Sequence, residues 1–332
     1  MLLLRLVDEW SKHESASLST MTTPAPPADA NDLGDGLVLT APRLVHTIHK
    51  SPYAGLSPLR HELNQSGRTV LITARSAGIG FAIARAYAEA SAFKLILTGR
   101  RSDILQQASS KLSSAFPEVE IIPRICDVGN SEESARLWSS LGKDGIFVDV
   151  LILNAAKFGS QQQPLLEADL DEIWSLYQTN VKAILDFRQR LYRQKGAEDK
   201  KMFIVYVSTA AIHSRPIAAS LPGYSLSKIS GHILVQKIAE EVDRERLQIV
   251  SFHPGQILSE TARSAGLDEN SFPFDDENLP GRWVVWASTS EATFLHGRFV
   301  WAAWDIEELK SEDIKQRMNA DPGFLTLGLI GL

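Results

Sequence analysis

From residue 68 to residue 90 the chain reads RTVLITARSAGIGFAIARAYAEA. Its first part, Arg68 to Thr73, is a short apolar run with β-branched members and predicts a strand, whereas the alanine-rich segment Phe81 to Ala90 predicts a helix. The turn between them carries Gly78 and Gly80, which lack the Cβ that would keep a phosphate from the backbone. A helix N-terminus offers unpaired N–H groups and a positive dipole end. The segment therefore predicts a site for the pyrophosphate of a dinucleotide.

Five further apolar runs follow, and helical stretches separate them. They are Lys94 to Thr98, Glu120 to Ile125, Val148 to Leu153, Met202 to Val207 and Leu247 to Phe252. This alternation predicts a single-domain α/β fold: a Rossmann-like, doubly wound parallel sheet of about seven strands with helices on both faces. The carboxyl ends of such strands share one edge. The residues that follow these ends are Arg100, Arg101, Asp127, Asn154, Ser208, Thr209, Pro254 and Gly255.

A second feature is the sequence YSLSK, in which Tyr224 and Lys228 are four residues apart. If residues 223 to 240 form a helix, both side chains lie on one face of it. A free phenol has a pKa near 10, and a neighbouring ammonium group lowers that pKa toward the range in which proton transfer is efficient. Such a pair alone is more often a surface feature. Its interpretation as an acid/base pair therefore depends on the residues at the strand ends.

The glycine turn, Asn154-Ala155-Ala156, the YxxxK pair and Pro254-Gly255 occur in this order, and through them the sequence resembles the short-chain dehydrogenase/reductase family. The resemblance covers residues 67 to 305. It is strongest to fungal NADP-dependent oxidoreductases of secondary metabolism, through SPLRHEL at residues 57–63 and FLHGRFVWAAWD at residues 294–305. It implies an enzyme that transfers hydride between NADP(H) and a carbonyl or alcohol group of a small molecule.

The resemblance also implies roles for single residues. Tyr224 resembles the proton donor or acceptor, and Lys228 resembles the residue that lowers the tyrosine pKa and holds the nicotinamide ribose. Asn180 matches the asparagine that supports a proton-relay water. The hydroxyl that orients the substrate carbonyl is assigned to Thr209, with Ser208 as the alternative, because threonine keeps the hydroxyl although its methyl group narrows the pocket.

The second strand is followed by Arg100 and Arg101, where an acidic residue would favour NAD. Arginine binds phosphate in a planar, bidentate manner, so the pair favours NADP(H), unless one arginine only caps the next helix. Arg75 is a candidate second phosphate contact, and Asp127 resembles the acid that accepts a hydrogen bond from the adenine amino group. The full cofactor-binding set is Thr73, Arg75, Gly78, Ile79, Gly80, Arg100, Arg101, Asp127, Asn154, Lys182, Tyr224, Lys228, Pro254, Gly255, Ile257 and Ser259.

Two positions depart from the family pattern, because Ala74 and Ala156 stand where the family has glycine. An alanine at Ala74 costs little if its φ is negative and about 1 kcal/mol or more if it is positive. These departures keep two alternatives open. One is a non-redox isomerase or cyclase on the same scaffold, and the other is a nucleotide-binding protein without turnover.

The composition fits a cytoplasmic enzyme without nucleic-acid, membrane or metal partners. The 332 residues carry a net charge of −6 without long charge runs, which argues against nucleic acid. The apolar start, Met1 to Val7, is too short for a membrane span, and no Cys/His cluster suggests a metal. Cys126 is the only cysteine, so an internal disulfide is excluded. The resemblance implies a homodimer or homotetramer.

The chain is expected to have three parts. Residues 1–42 predict a disordered extension, within which Met21 is a candidate alternative start, and residues 43–66 predict an arm lying over the domain. Residues 67–332 form the catalytic domain, with a substrate loop at about 256–282. Phe272 and Phe274 in that loop suggest an apolar or aromatic substrate, although they could equally be a hydrophobic staple.

Overall fold

The computed structural model describes residues 40–74, 78–159, 163–259, 262–263 and 266–329. Most of the expected disordered extension, residues 1–39, therefore lies outside the described part. The strands are β1 Thr69–Ile72, β2 Lys94–Gly99, β3 Glu120–Ile125, β4 Val150–Leu153, β5 Met202–Val207, β6 Leu247–His253 and β7 Phe299–Trp301. The helices are α1 Ile79–Glu89, α2 Ser102–Ala115, α3 Ser131–Lys143, α4 Leu170–Tyr177, α5 Ala183–Tyr192, α6 Arg215–Ser220, α7 Pro222–Glu241, α8 Asn278–Ala287, α9 Ile306–Leu309 and α10 Glu312–Ala320.

The seven strands form one parallel sheet in the order β3-β2-β1-β4-β5-β6-β7. This confirms the predicted doubly wound α/β fold. The first six strands lie where the apolar runs predicted them, within two residues at each end. At one edge of the sheet, β3 carries Pro123. At the other edge, the Phe299 N–H donates to the Leu325 carbonyl of the C-terminal tail at 2.8 Å.

Helices cover both faces of the sheet, because side chains alternate along each buried strand. On one face, Val70 and Ile72 of β1 pack in a core with Ile83 of α1 and Trp283 of α8. On the other face, Leu71 packs with residues of α3, α5 and α7. α1 and α8 approach so closely that a Cβ on Gly281 would lie 2.8 Å from the Ala82 carbonyl carbon.

Between α4 and α5 the helix continues through one π turn, Gln178–Lys182. Such turns insert one extra residue into a helix and occur frequently at functional sites. Here the π turn contains Asn180, which is fully buried. The local irregularity therefore points one predicted site residue toward the domain interior.

The described residues of the predicted arm pack against the segment that follows β7. Ile48 forms an isolated antiparallel bridge with Trp304, and the Trp304 indole donates to the Pro42 carbonyl at 2.8 Å. The Ile306 N–H donates to the Tyr53 hydroxyl at 2.8 Å, and the Tyr53 ring stacks on the His49 ring. The arm thus supplies acceptors to backbone and side-chain donors around the start of α9.

Candidate active site

A groove of 610 Å³ runs along the carboxyl edge of the sheet. Eight residues predicted to bind cofactor line it: Gly78, Ile79, Gly80, Arg100, Arg101, Asp127, Asn154 and Ser259. Lys182 lines an adjoining concavity that also contains Arg100 and Asp127. Neither concavity is lined by Thr73, Tyr224, Lys228, Pro254, Gly255 or Ile257, and Arg75 lies outside the described residues.

The turn after β1 is tied to the end of β4 through Thr73 and Asn154. The Thr73 hydroxyl donates to the Ile152 carbonyl at 3.1 Å and accepts from the Asn154 N–H at 3.0 Å. The Asn154 side-chain amide donates to the carbonyls of Thr73 and Ala74 at 3.1 and 2.7 Å. Thr73 therefore fixes the position of the turn and of Asn154, which lines the groove.

Ala74 adopts a φ of 50° in this turn, in the left-handed region that costs a residue with a Cβ about 1 kcal/mol or more. Gly78 also has a positive φ, 59°, and stands directly before α1. Among the described residues, no atom outside the neighbours of Gly78 in the chain lies within 4 Å of the point that a Cβ on Gly78 would occupy. The start of α1 is accordingly open to the groove.

Arg100 and Arg101 follow β2 at the far end of the groove. The Arg100 side chain is 74 % exposed, and its Nη1 lies 4.0 Å from Asp127 Oδ2, a distance typical of a weak surface ion pair. Arg101 occupies the N-cap position of α2, but its side chain makes no capping hydrogen bond. The Arg101 side chain therefore does not cap α2, which was the alternative explanation for an arginine at this position.

Tyr224 lies in the first turn of α7, near the side chain of Thr209. Burial raises the pKa of Tyr224 above its usual 10, and the polar interaction with Thr209 opposes this shift. Thr209 begins a short 3₁₀ turn, in which its Oγ1 also accepts from the Ala211 N–H at 3.2 Å. Ser208, the alternative hydroxyl, is buried, and its Oγ has no hydrogen-bond partner among the described residues.

Lys228 lies one helical turn after Tyr224 and is 1 % exposed. Its ammonium group donates to the Val207 carbonyl at 2.9 Å and lies 4.4 Å from the centroid of the Tyr206 ring. Burial lowers the pKa of Lys228 to about 7. The two side chains share a helix face as expected, but the expected lowering of the Tyr224 pKa is not seen. Desolvation dominates that pKa, and the ammonium group points to a carbonyl.

Asn180 connects the π turn to α7 and to the segment after β4. Its Oδ1 accepts from the Lys157 N–H at 2.9 Å, and its Nδ2 donates to the Lys157 carbonyl and to Ser227 Oγ, both at 2.9 Å. The Asn180 carbonyl packs against Gly231, where a Cβ would lie 2.3 Å from that oxygen. Both ends of the side-chain amide are thus hydrogen-bonded within the protein, which gives Asn180 a structural role.

Phe158 is a residue of this site that the sequence did not reveal. Its ring stacks on the Tyr224 ring with a centroid distance of 4.2 Å and an angle of 15°, and it remains 47 % exposed. Phe158 also lines the groove, so it connects the groove to the Tyr224–Thr209 pair. The sequence did hold one indication of this role, namely an aromatic residue four positions after Asn154, in the loop that follows β4.

The loop after β6 is held by charged groups rather than by its phenylalanines alone. Asp275 Oδ2 accepts from the Gln256 N–H at 2.8 Å, and Gly255 adopts a φ of 102° beside it. Burial raises the pKa of Asp275 above its usual value. The rings of Phe272 and Phe274 meet edge to face at 5.8 Å. Residues 260–261 and 264–265 of the loop are outside the described part.

Among the described helices, none has the length and apolarity needed to cross a bilayer. The same part of the chain contains no group of three or more His, Cys, Asp or Glu residues arranged to hold a metal ion.

Comparisons with known proteins identify the family of the chain. Residues 68–270 match the family model described as short chain dehydrogenase. The chain is 31 % identical over 289 residues to the short chain dehydrogenase/reductase AacuD of Aspergillus aculeatus, covering 87 % of this chain and 97 % of that protein. It is 32 % identical over 291 residues to a short chain dehydrogenase/reductase of Claviceps purpurea, covering 87 % and 95 %.

Solved structures show the same fold. L-Sorbose reductase from Gluconobacter frateurii, solved with NADPH and L-sorbose, superposes with a TM-score of 0.63 at 22 % identity, covering 75 % of this chain and 99 % of that one. A gluconate dehydrogenase homologue from Agrobacterium tumefaciens gives a TM-score of 0.66 at 19 % identity, covering 74 % and 97 %.

Proposed function

The chain belongs to the short-chain dehydrogenase/reductase family of oxidoreductases, and from that premise we propose that it uses NADP(H) to interconvert a carbonyl and an alcohol on a small apolar or aromatic metabolite. One observation carries the proposal. The phenol of Tyr224 and the hydroxyl of Thr209 lie close enough to interact, beside a groove whose lining ring, Phe158, stacks on Tyr224. A proton donor and an oxygen-orienting hydroxyl thereby meet next to a nucleotide-sized groove.

The groove fits a nicotinamide dinucleotide. The open face of Gly78 at the start of the 11-residue helix α1 leaves room for a pyrophosphate at a helix N-terminus. Exposed Arg100 and Arg101 provide cationic donors where the adenosine ribose would lie, and they favour the 2′-phosphate of NADP(H) over NAD. When bound, the nicotinamide supplies or accepts the hydride.

The remaining chemistry belongs to the protein. Burial keeps the Tyr224 phenol protonated at neutral pH, so in the reductive direction it donates its proton to the carbonyl oxygen. The Thr209 hydroxyl orients that oxygen by a hydrogen bond. Lys228, whose pKa burial lowers to about 7, gains and loses a proton near neutral pH and is suited to restore the phenol.

The proposed substrate class rests on the aromatic surface around Tyr224. Phe158 and the loop residues Phe272 and Phe274 offer ring faces and edges to an apolar substrate. The proposed setting is cytoplasmic fungal secondary metabolism, which the SPLRHEL and FLHGRFVWAAWD segments support. A homodimer or homotetramer is part of the same proposal.

The test is oxidation of NADPH and NADH, followed by absorbance, with a panel of aromatic and aliphatic ketones and aldehydes. We expect NADPH to be the preferred cofactor. Tyr224→Phe keeps the ring and its stacking and should lower turnover by about 100- to 10,000-fold. NADPH affinity should stay within a few fold of the wild type.

Tyr177→Phe is the matched control, because it removes a phenol that contacts Ser230 rather than Thr209. The Tyr177→Phe variant should retain turnover. Near wild-type turnover in Tyr224→Phe would refute the proposed mechanism.

A non-redox function remains the second candidate, because Ala74 carries positive-φ strain at the turn. Under that reading the wild type binds NADPH weakly, and Ala74→Gly with Ala156→Gly restores binding. A fluorescence titration with NADPH distinguishes the two functions. Undetectable binding by the wild type at millimolar cofactor would favour the non-redox candidate.

A further inference from the structure

A second concavity, of 390 Å³, lies at the β7 edge of the sheet and shares no lining residue with the nucleotide groove. It is lined by residues 42–44, where the predicted arm begins, by tail residues 325–327, and by Phe299 and Trp301 of β7. We call it the arm–tail cleft. Its aromatic rings and its size suit a planar ligand.

All ionisable side chains that line the arm–tail cleft within the described chain are basic: Arg43, His213, His232 and Arg317. Arg43 and Arg317 are exposed, and neither has a carboxylate partner among the described residues. The Arg317 guanidinium is held over the Phe324 ring at 4.1 Å. The mouth of the cleft therefore presents two uncompensated guanidinium groups, which favour an anionic ligand.

His232 supplies an independent observation at the inner end. It is 1 % exposed, and neither of its ring nitrogens has a hydrogen-bond partner in the described structure. Its ring packs edge to face on Phe299, with a centroid distance of 5.4 Å. A buried imidazole without a partner is costly, and a ligand oxygen in the cleft would satisfy it.

His232 is distinct from the catalytic residues, although it lies on the same helix face. It follows Lys228 by four residues on α7, as Lys228 follows Tyr224. Burial and the charges of Lys228 and Arg188 hold the pKa of His232 at about 4, so the ring is neutral at pH 7. A neutral imidazole both donates and accepts one hydrogen bond, which matches a hydroxyl group.

We propose that the arm–tail cleft binds a hydroxylated aromatic carboxylate, with its carboxylate between Arg43 and Arg317, its rings against Phe299 and Trp301, and its hydroxyl at His232. This site is separate from the substrate position beside Tyr224. Because the cleft is built from the arm, β7 and the tail, the bound ligand would stabilise the folded chain by mass action.

The test is calorimetric titration of the full chain with 6-hydroxy-2-naphthoate, with NADPH present at saturation to occupy the groove. 2-Naphthoate, which lacks the hydroxyl, and 2-naphthol, which lacks the carboxylate, are the matched probes. We expect one equivalent of 6-hydroxy-2-naphthoate to bind and the melting temperature to rise. The other two probes should bind more weakly.

Variants of the cleft show whether the probe binds there. The result therefore holds even if NADPH does not occupy the groove. Arg43→Ala with Arg317→Ala should weaken 6-hydroxy-2-naphthoate binding by about tenfold and leave 2-naphthol unchanged. His232→Phe should remove the advantage of the hydroxylated probe over 2-naphthoate. Arg136→Ala is the control, at a side chain that is 67 % exposed on α3. It should change neither the affinity for 6-hydroxy-2-naphthoate nor the preference for the hydroxylated probe.

Three results would overturn the proposal. One is the absence of saturable binding at millimolar 6-hydroxy-2-naphthoate. Another is binding that the arginine double variant does not weaken. The third is an unchanged preference for the hydroxyl group in a folded His232→Phe variant.

Discussion

Thr209 and Ser208 are neighbours, but only the Thr209 hydroxyl is placed to interact with Tyr224. Separate variants of the two residues therefore show which hydroxyl orients the substrate oxygen. Thr209→Val is nearly isosteric and removes the hydroxyl that interacts with the Tyr224 phenol. Loss of one oxygen-orienting donor should lower kcat by about 100- to 1,000-fold. Ser208→Ala removes an Oγ that has no hydrogen-bond partner in the described part of the chain, and it should leave kcat within a few fold. Reversal of this order in steady-state assays would assign the role to Ser208.

Lys228 makes a pH-dependent contribution to stability whose sign follows from its burial. The folded-state pKa of about 7 lies below the usual 10.5, so between these values the unfolded chain binds the extra proton. The free energy of unfolding therefore rises with pH across this window and is flat below pH 7. Lys228→Met removes this dependence.

Urea unfolding at pH 6 to 10 measures the effect as the difference between wild type and variant, in which the other titrating groups cancel. The wild type should gain stability relative to Lys228→Met between about pH 7 and pH 10. A difference that is constant or falls over this range would mean that the ammonium group stays charged when folded.

The positions of most side chains of the candidate site could be predicted from the sequence, because type and spacing suffice to place residues on a strand end or a helix face. Tyr224, Lys228 and Thr209 came together for that reason. The pKa directions did not follow, since they depend on burial and on which carbonyl the Lys228 ammonium reaches. The bonds of Asn180 with Lys157 join residues 23 apart in the chain, and no local pattern encodes them.

Among the elements, the turn from β1 to α1 carries a measurable strain. Ala74→Gly relieves the left-handed Ala74, but glycine also gains entropy in the unfolded chain. We expect a net change of at most about 1 kcal/mol in the free energy of unfolding, in the stabilising direction, and NADPH affinity that is equal or better.

Ser91→Gly is the matched control, because Ser91 also has a positive φ, 64°, but lies at the end of α1 far along the chain from the turn. It should change stability in the same direction without changing NADPH affinity. Chemical denaturation and fluorescence titration separate the two effects. Clear destabilisation by Ala74→Gly would mean that the Ala74 methyl makes a contact worth more than the strain.

Strands could be predicted from the sequence where the apolar runs are long enough to show a pattern, and could not be predicted where the runs are shorter. Six strands follow from runs of five or six residues. β7 has three residues, Phe299–Trp301, and lies inside an aromatic segment without periodicity. The π turn at Gln178–Lys182 brings the Asn180 carbonyl against Gly231, a tertiary contact that helix propensity does not reveal.

For the whole molecule, the arm is expected to contribute stability without taking part in the chemistry. Tyr53→Phe keeps the stacking on His49 but removes the oxygen that accepts from the Ile306 N–H. We expect the free energy of unfolding to fall by about 1 kcal/mol, with kcat/KM unchanged.

Thermal or urea unfolding beside a steady-state assay tests this division. Tyr192→Phe, on α5, is the control for loss of a phenol elsewhere. A fall in kcat/KM for Tyr53→Phe without loss of stability would show that the arm shapes the active site.

The two edge strands of the sheet also affect whether copies of the chain aggregate. An open edge strand is a template on which another chain can add a strand, and this is a common route to aggregation. Here β3 carries Pro123, which has no N–H to offer, and the first N–H of β7 is already used by the tail at Leu325. Proteolytic loss of the tail would free that donor and turn the β7 edge into the point at which insoluble assemblies begin.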